Sequence, residues 1–189
     1  TADGFKKFAS LVGVSKSDSL IDYSLLEDTM RDSLEAIAPR AFAVIDPLKL
    51  VIDNCPENHL DKCEAPLHPK SKLQGTRELI FSKELWIERS DFMLNPPKGY
   101  FRLSPGKQVR LRYGYVITCS GFEVDDKGKP TVVFCQYHPD SKSGTEGAEK
   151  YKVKGNIHWL SVAHCISAEI RLFDRLFITE NPGSSRDFL

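Results

Sequence analysis

The period of the apolar residues changes at Pro39, and no other feature of the chain constrains its fold so strongly. Before Pro39 the spacing is helical. Phe5, Phe8, Leu11 and Val12 lie on one face, and Gly13 supplies a stop. Ser24 and Glu27 have the S-x-x-E spacing of a capping box, and Leu26, Met30, Leu34 and Ile37 continue as one apolar stripe. Pro39 closes this second helix, because a proline pushes the residue before it out of the α region. After Pro39 the period is two. In 108–117, Val109, Leu111, Tyr113, Tyr115 and Ile117 share one parity, and Gln108, Arg110, Arg112 and Gly114 share the other. Segments 152–159 and 169–178 alternate likewise, and shorter apolar runs at 79–87 and 131–137 read as further strands. Turn signals at Asn95-Pro96-Pro97, Ser104-Pro105-Gly106, Asp126-Lys127-Gly128 and Ser143-Gly144 separate the runs. Loops are expected at 54–76, 93–99 and 138–151. The pattern predicts a mainly β fold, an antiparallel barrel or sandwich, behind a short helical segment.

Charge sharpens the reading. Lys+Arg and Asp+Glu both number 26 in 189 residues, so the net charge is zero. That balance argues against general adhesion to polyanions, but the charges are segregated. Residues 17–35 hold six acids and one base, a local charge of −5. Residues 92–122 hold five bases (Lys98, Arg102, Lys107, Arg110, Arg112) and no acid, and 65–77 add Lys70, Lys72 and Arg77. A basic face on a neutral body suits a site-specific anionic partner. If 108–117 is one strand, Arg110 and Arg112 leave the same face of the sheet. Guanidinium offers a fixed fork of donors for phosphates and base edges, and Tyr100 and Phe101 could stack on unpaired bases beside Arg102. An exposed polar strand face is the plainer alternative.

Other chemistries find less support. Cys55, His59, Cys63 and His68 form C-x3-H-x3-C-x4-H, which contains ligand types suited to zinc but lacks the paired C-x2-C knuckle, so no metal is expected. Ser161, His164, Cys165 and Asp174 are close in sequence, yet no nucleophile signature frames them, and no catalytic residue is expected. No glycine-rich phosphate loop is present. The five cysteines are odd in number and irregularly spaced, which suits a reducing compartment. No apolar run approaches the ~20 residues of a membrane span, and no basic-then-apolar leader opens the chain. A cytoplasmic monomer without membrane contact is the expectation. The start at Thr1, without Met, suggests a fragment.

Several phrases recur together and in order: Ala38-Pro39-Arg40-Ala41-Phe42 through Val51-Ile52, Trp86-Ile87-Glu88-Arg89-Ser90-Asp91-Phe92, Gly106-Lys107-Gln108-Val109-Arg110-Leu111-Arg112, Lys152 through Trp159, Glu169 through Phe177, and Asn181-Pro182-Gly183. From about residue 5 to 189 the chain closely resembles the C-terminal anticodon-binding region of the glutaminyl-tRNA synthetase family, class I. The resemblance implies a helical linker over 1–39 and an anticodon-binding region over 40–189, built from proximal and distal β-barrels. It places the family's catalytic domain before Thr1 and further strands beyond Leu189. The implied partner is the anticodon loop of glutamine tRNA. ATP, magnesium and glutamine belong to the catalytic part, and no cofactor is expected on this fragment.

Residue by residue, the resemblance puts Arg40, with His68, Pro69 and Lys70, near the middle anticodon base. Arg102 matches the arginine that reads the third base, with Tyr100 beside it. Arg110 and Arg112 match arginines near the first base and its phosphates. Lys98 and Lys107 are assigned to phosphates, which give affinity without sequence information. Lys70 stands where relatives often have Asn, Phe101 where they usually have Lys, and Gly99 where they have a polar residue. A eukaryotic or archaeal type of glutamyl-tRNA synthetase and a non-catalytic RNA-binding barrel are the alternatives.

Overall fold

A computed structural model describes residues 1–70, 75–174, 176, 177, 179 and 183. Two helices open the chain: α1 (Ala2–Val12) and α2 (Tyr23–Glu35), packed against each other. α1 ends at Gly13 as the sequence indicates, with φ 72°. α2 begins one residue before the expected cap. Asp22 is the N-cap, and its carboxylate accepts the Ser24 N–H at 2.8 Å, so the Ser24–Glu27 box is not the start signal. α2 stops at Glu35, before Pro39. Gly4 lets the helices touch: a Cβ there would lie 2.5 Å from Met30 Sδ.

Among the described residues nine strands follow: β1 (Pro47–Ile52), β2 (Asp61–Pro66), β3 (Thr76–Phe81), β4 (Glu84–Glu88), β5 (Gln108–Leu111), β6 (Val116–Val124), β7 (Pro130–Tyr137), β8 (Asn156–Ile157) and β9 (Trp159–Ser161). β2 and β3 form an antiparallel ribbon. The other seven form one sheet in the order β8-β5-β6-β7-β1-β4-β9. Its two end strands, β8 and β9, are joined by His158 alone, so the sheet curls until its ends meet, and it is nearly a closed barrel. Pairing is mostly antiparallel, with β1–β7 and β5–β8 parallel. The fold is thus mainly β with a short helical segment in front, as expected. Among the described residues there is one barrel-like sheet. No described helix is long and apolar enough to cross a membrane.

The inward parity of the strands makes the core. Leu48, Leu50, Ile52, Phe81, Leu85, Ile87, Val109, Leu111, Ile117, Val133, Ile157 and Trp159 are all at most 1% exposed. At ~25 cal/mol per Å² of apolar surface, burying each such side chain fully contributes about 1.5–3 kcal/mol before entropy is charged. Five sequence expectations differ from the structure. The run 108–117 is not one strand: β5 ends at Leu111, Tyr113 takes φ 67°, and β6 starts at Val116. The run 79–87 contains a turn and splits into β3 and β4, while 152–159 yields two short strands. β2 lies inside the expected loop 54–76, with Cys63 and Ala65 facing the core. No strand forms among the described residues of 169–178.

Candidate nucleic-acid interface

Many of the basic residues predicted for the site fall into three groups. The first sits where α2 ends. Glu35 is its last residue, and its carboxylate binds the Arg40 guanidinium and, at 3.1 Å, Lys70 Nζ. The buried His68 ring completes the group. The Lys70 backbone N–H donates to Nδ1 at 3.2 Å, so Nε2 carries the proton and donates to the Glu35 carbonyl at 2.7 Å. His68 is therefore a strut under the helix terminus, with both ring nitrogens engaged by backbone groups. Cys55 and Cys63 are buried in the core, and no group of three or more candidate ligands forms among the described residues. Hydrogen bonds from Arg40 and then Lys70 hold the Glu35 carboxyl below its ordinary pKa. The Arg40 N–H donates to the Leu67 carbonyl at 2.6 Å, which docks the linker onto the loop carrying His68 and Pro69.

The second group is aromatic and cationic, and the sequence gives little sign of it. Arg77 sits 5.0 Å over the Phe42 ring, Phe42 stacks on Tyr113 at 6.1 Å, and Arg112 lies 5.3 Å from the Tyr113 ring. Arg112 is exposed. Its backbone is held firmly: its N–H donates to the Ile157 carbonyl at 2.8 Å, and its carbonyl accepts Trp159 Nε1–H at 3.1 Å. His158, the link between β8 and β9, packs on Phe42 at 5.8 Å and donates Nε2–H to the Ala43 carbonyl at 2.9 Å. Phe42, Tyr113 and His158 come from three distant segments, so only folding brings them together.

The third group surrounds Asp91, a carboxylate 1% exposed in the short 3-10 turn after β4. One of its oxygens binds Arg102 Nη1, and the other is buried without a partner. Burial raises the Asp91 pKa, and the Arg102 charge opposes that shift. The Arg102 side chain is 49% exposed, so it reaches solvent from a buried anchor. Tyr100 donates its hydroxyl to the Ser90 carbonyl at 3.1 Å, and burial pushes its pKa up to about 12. Phe101, Lys98 and Lys107 are exposed on the same loop.

Arg110 stands apart from Arg112. Its guanidinium turns into the loop 138–151, where Nη1 reaches the Ser141 carbonyl at 2.6 Å and Ser143 Oγ at 3.2 Å, and Nη2 reaches the Ala148 carbonyl at 3.1 Å. The expected shared strand face does not exist, because β5 ends between the two arginines. Ser161 does meet His164, Oγ to Nδ1 at 3.0 Å, but Ser161 is buried and also contacts the Ser82 hydroxyl at 2.8 Å. That chain of contacts ties β9 to the β3–β4 turn.

The barrel carries arginines, lysines and aromatic rings of the kinds that suit a single-stranded, anionic, base-bearing partner. A family model for the anticodon-binding domain of class I tRNA synthetases (E and Q) matches residues 38–138, and a second model of the same description matches 156–189. The chain belongs to this family. It is 55% identical to a glutamine–tRNA ligase of Cupriavidus metallidurans, over the whole chain and 33% of that relative. A glutamine–tRNA ligase of Bordetella pertussis is 53% identical over the whole chain and 32% of its own length. The chain therefore spans about a third of the length of the curated relatives it matches.

Proposed function

We propose that this chain binds the anticodon loop of glutamine tRNA, and that the whole protein joins glutamine to that tRNA with ATP and magnesium. No residue of this chain is assigned to ATP, magnesium or glutamine. The observation that carries the reading is Arg102, held by the buried Asp91 carboxylate while half of its side chain stays in solvent. An arginine fixed at one nitrogen keeps the rest of its fork for a guanine edge, the commonest specific base contact. A glutamine anticodon ends in G, so Arg102 is assigned to the third base, with Tyr100 supporting it.

Arg40, Pro69 and Lys70 are assigned to the middle base, with His68 as the strut that positions their loop. Arg112 serves the first base and its phosphates, alongside Tyr113 and Phe42. Arg110 is given a different role from Arg112: it clasps the loop 138–151. Lys98 and Lys107 take phosphates. The helical part, 1–39, is read as a linker and 40–189 as the binding region of a cytoplasmic, monomeric protein.

The test is a titration of this chain with anticodon stem-loops, wild type and third-base-substituted, at two salt concentrations. Arg102→Ala is expected to weaken wild-type binding by ~1–3 kcal/mol and to relax the choice at the third base. Unchanged discrimination at that base removes the assignment.

A further inference from the structure

The geometry points to Phe101 as a stacking platform for a second nucleobase, next to the one that Arg102 reads. Phe101 is 56% exposed, although it follows a fixed aromatic and precedes an anchored arginine. Its backbone is immobilised from the other side. Gly155 packs so closely that a Cβ there would lie 1.7 Å from the Phe101 carbonyl oxygen, and the Gly155 carbonyl accepts the Arg110 N–H at 3.0 Å. An exposed ring on a rigid backbone loses little freedom when a ligand covers it.

The charges around the ring select the ligand. Lys154 Nζ lies over one face of the ring, 5.2 Å from its centroid, and the ring still keeps 56% of its surface exposed for a ligand on the other face; among the described residues Lys154 makes no ion pair. Lys98 and Lys107 are exposed on the same loop, and residues 92–122 contain no acid. A half-exposed ring with a cation beside it suits a flat π-system joined to a phosphate, an unstacked nucleotide. An apolar protein segment would leave those charges without partners. The two side chains have different neighbours, Phe101 against Lys154 and Arg102 on the Asp91 carboxylate, so they serve different bases. Phe101 therefore takes a nucleotide flanking the third anticodon base, and Lys154 takes its phosphate.

This inference rests on the anticodon-loop reading, and its test separates the two. Abasic sites are placed one at a time at the two nucleotides flanking the third anticodon base of a glutamine-tRNA anticodon stem-loop. Binding to wild type, Phe101→Leu, Phe101→Trp and Lys154→Met is measured at two salt concentrations. For wild type, one abasic site is expected to lower affinity about 5- to 160-fold, the range of base–aromatic stacking. Phe101→Leu should bind the intact loop as weakly as wild type binds that abasic loop, and should lose nothing further to the same abasic site. Phe101→Trp should retain the wild-type preference. Lys154→Met should reduce the salt slope by about one phosphate contact without removing the abasic effect. Additive losses from Phe101→Leu and the abasic site, or no loss from Phe101→Leu, overturn the platform. If third-base substitution has no effect while the Phe101 coupling holds, the Arg102 assignment falls and the platform stands. Loss of both leaves only a nonspecific basic face.

Discussion

Replacing Arg110 with methionine tests whether this arginine holds the protein together or reads RNA. Its two terminal nitrogens make close hydrogen bonds to the Ser141 and Ala148 carbonyls, 2.6 and 3.1 Å, and a weaker one to Ser143 Oγ at 3.2 Å. Further contacts to the Gly114 and Tyr151 carbonyls, 3.5 and 3.4 Å, lie at the limit of hydrogen bonding and add little. A hydrogen bond from a charged donor contributes about 1.5–3 kcal/mol net, so the two close carbonyl contacts sum to roughly 3–6 kcal/mol. Methionine keeps most of the aliphatic volume, and water can reach part of the freed loop, so the expected net loss is about 2–4 kcal/mol. Lysine should rescue only part of it, because one ammonium cannot span carbonyls set apart for a fork. Denaturant unfolding reads the stability, and stem-loop titration under folded conditions reads base choice. A lower unfolding midpoint with unchanged discrimination at the first anticodon base is the expected pair of results. Stability within about 0.5 kcal/mol of wild type, the scatter typical of surface substitutions, together with a loss of first-base choice, would refute the clasp.

Further predictions concern packing, charge and pH. Gly155→Ala should destabilise the fold and displace the 99–103 loop, since its Cβ meets backbone at 1.7 Å and cannot be relieved by a rotamer change; a wild-type melting temperature and unchanged RNA affinity would contradict the tight contact. Lys107→Ala should weaken binding to all stem-loops alike and lower the salt slope by about one, so a base-specific loss would argue against a phosphate role. The Glu35 carboxyl has a folded pKa below its unfolded one, so its contribution to stability is present above the unfolded value and is lost as pH falls through the folded value. Glu35→Gln should therefore flatten the acid limb of the stability–pH curve, measured by unfolding at fixed salt; an unchanged limb would show that Arg40 and Lys70 do not hold the carboxylate in solution.

The sequence announced some of this architecture because those parts depend on neighbours in the chain. The helical spacing before Pro39 and the stop at Gly13 are local, and α1 and α2 follow. Parity of two carried the buried faces of β5, β6 and β7, where alternate residues meet one core. The break between Arg110 and Arg112 was not legible, because alternation ran unbroken through Tyr113. In the fold the Leu111 N–H donates to the Tyr115 carbonyl at 2.8 Å across the turn, and Gly114 packs against Trp159, where a Cβ would lie 3.3 Å from the indole. β2 was hidden in an expected loop because its proline, alanine, lysine and acidic residues have weak strand propensity. Its pairing with β3 and the burial of Cys63 and Ala65 outweigh that preference.

The same division holds for the candidate site. The sequence by itself determined which residue types are available: arginines and lysines without nearby acids in 92–122, aromatic residues beside Arg102, and a family pattern that spans the chain. The tertiary structure decided which of those charges face outward. It turned Arg110 inward onto its own loop, placed the buried Asp91 behind Arg102, and set Glu35 between Arg40 and Lys70. It also gathered Phe42, Arg77, Tyr113 and His158 from four separate segments. A donor's partners depend on distance through space, and the barrel closes only when His158 joins its first and last strands.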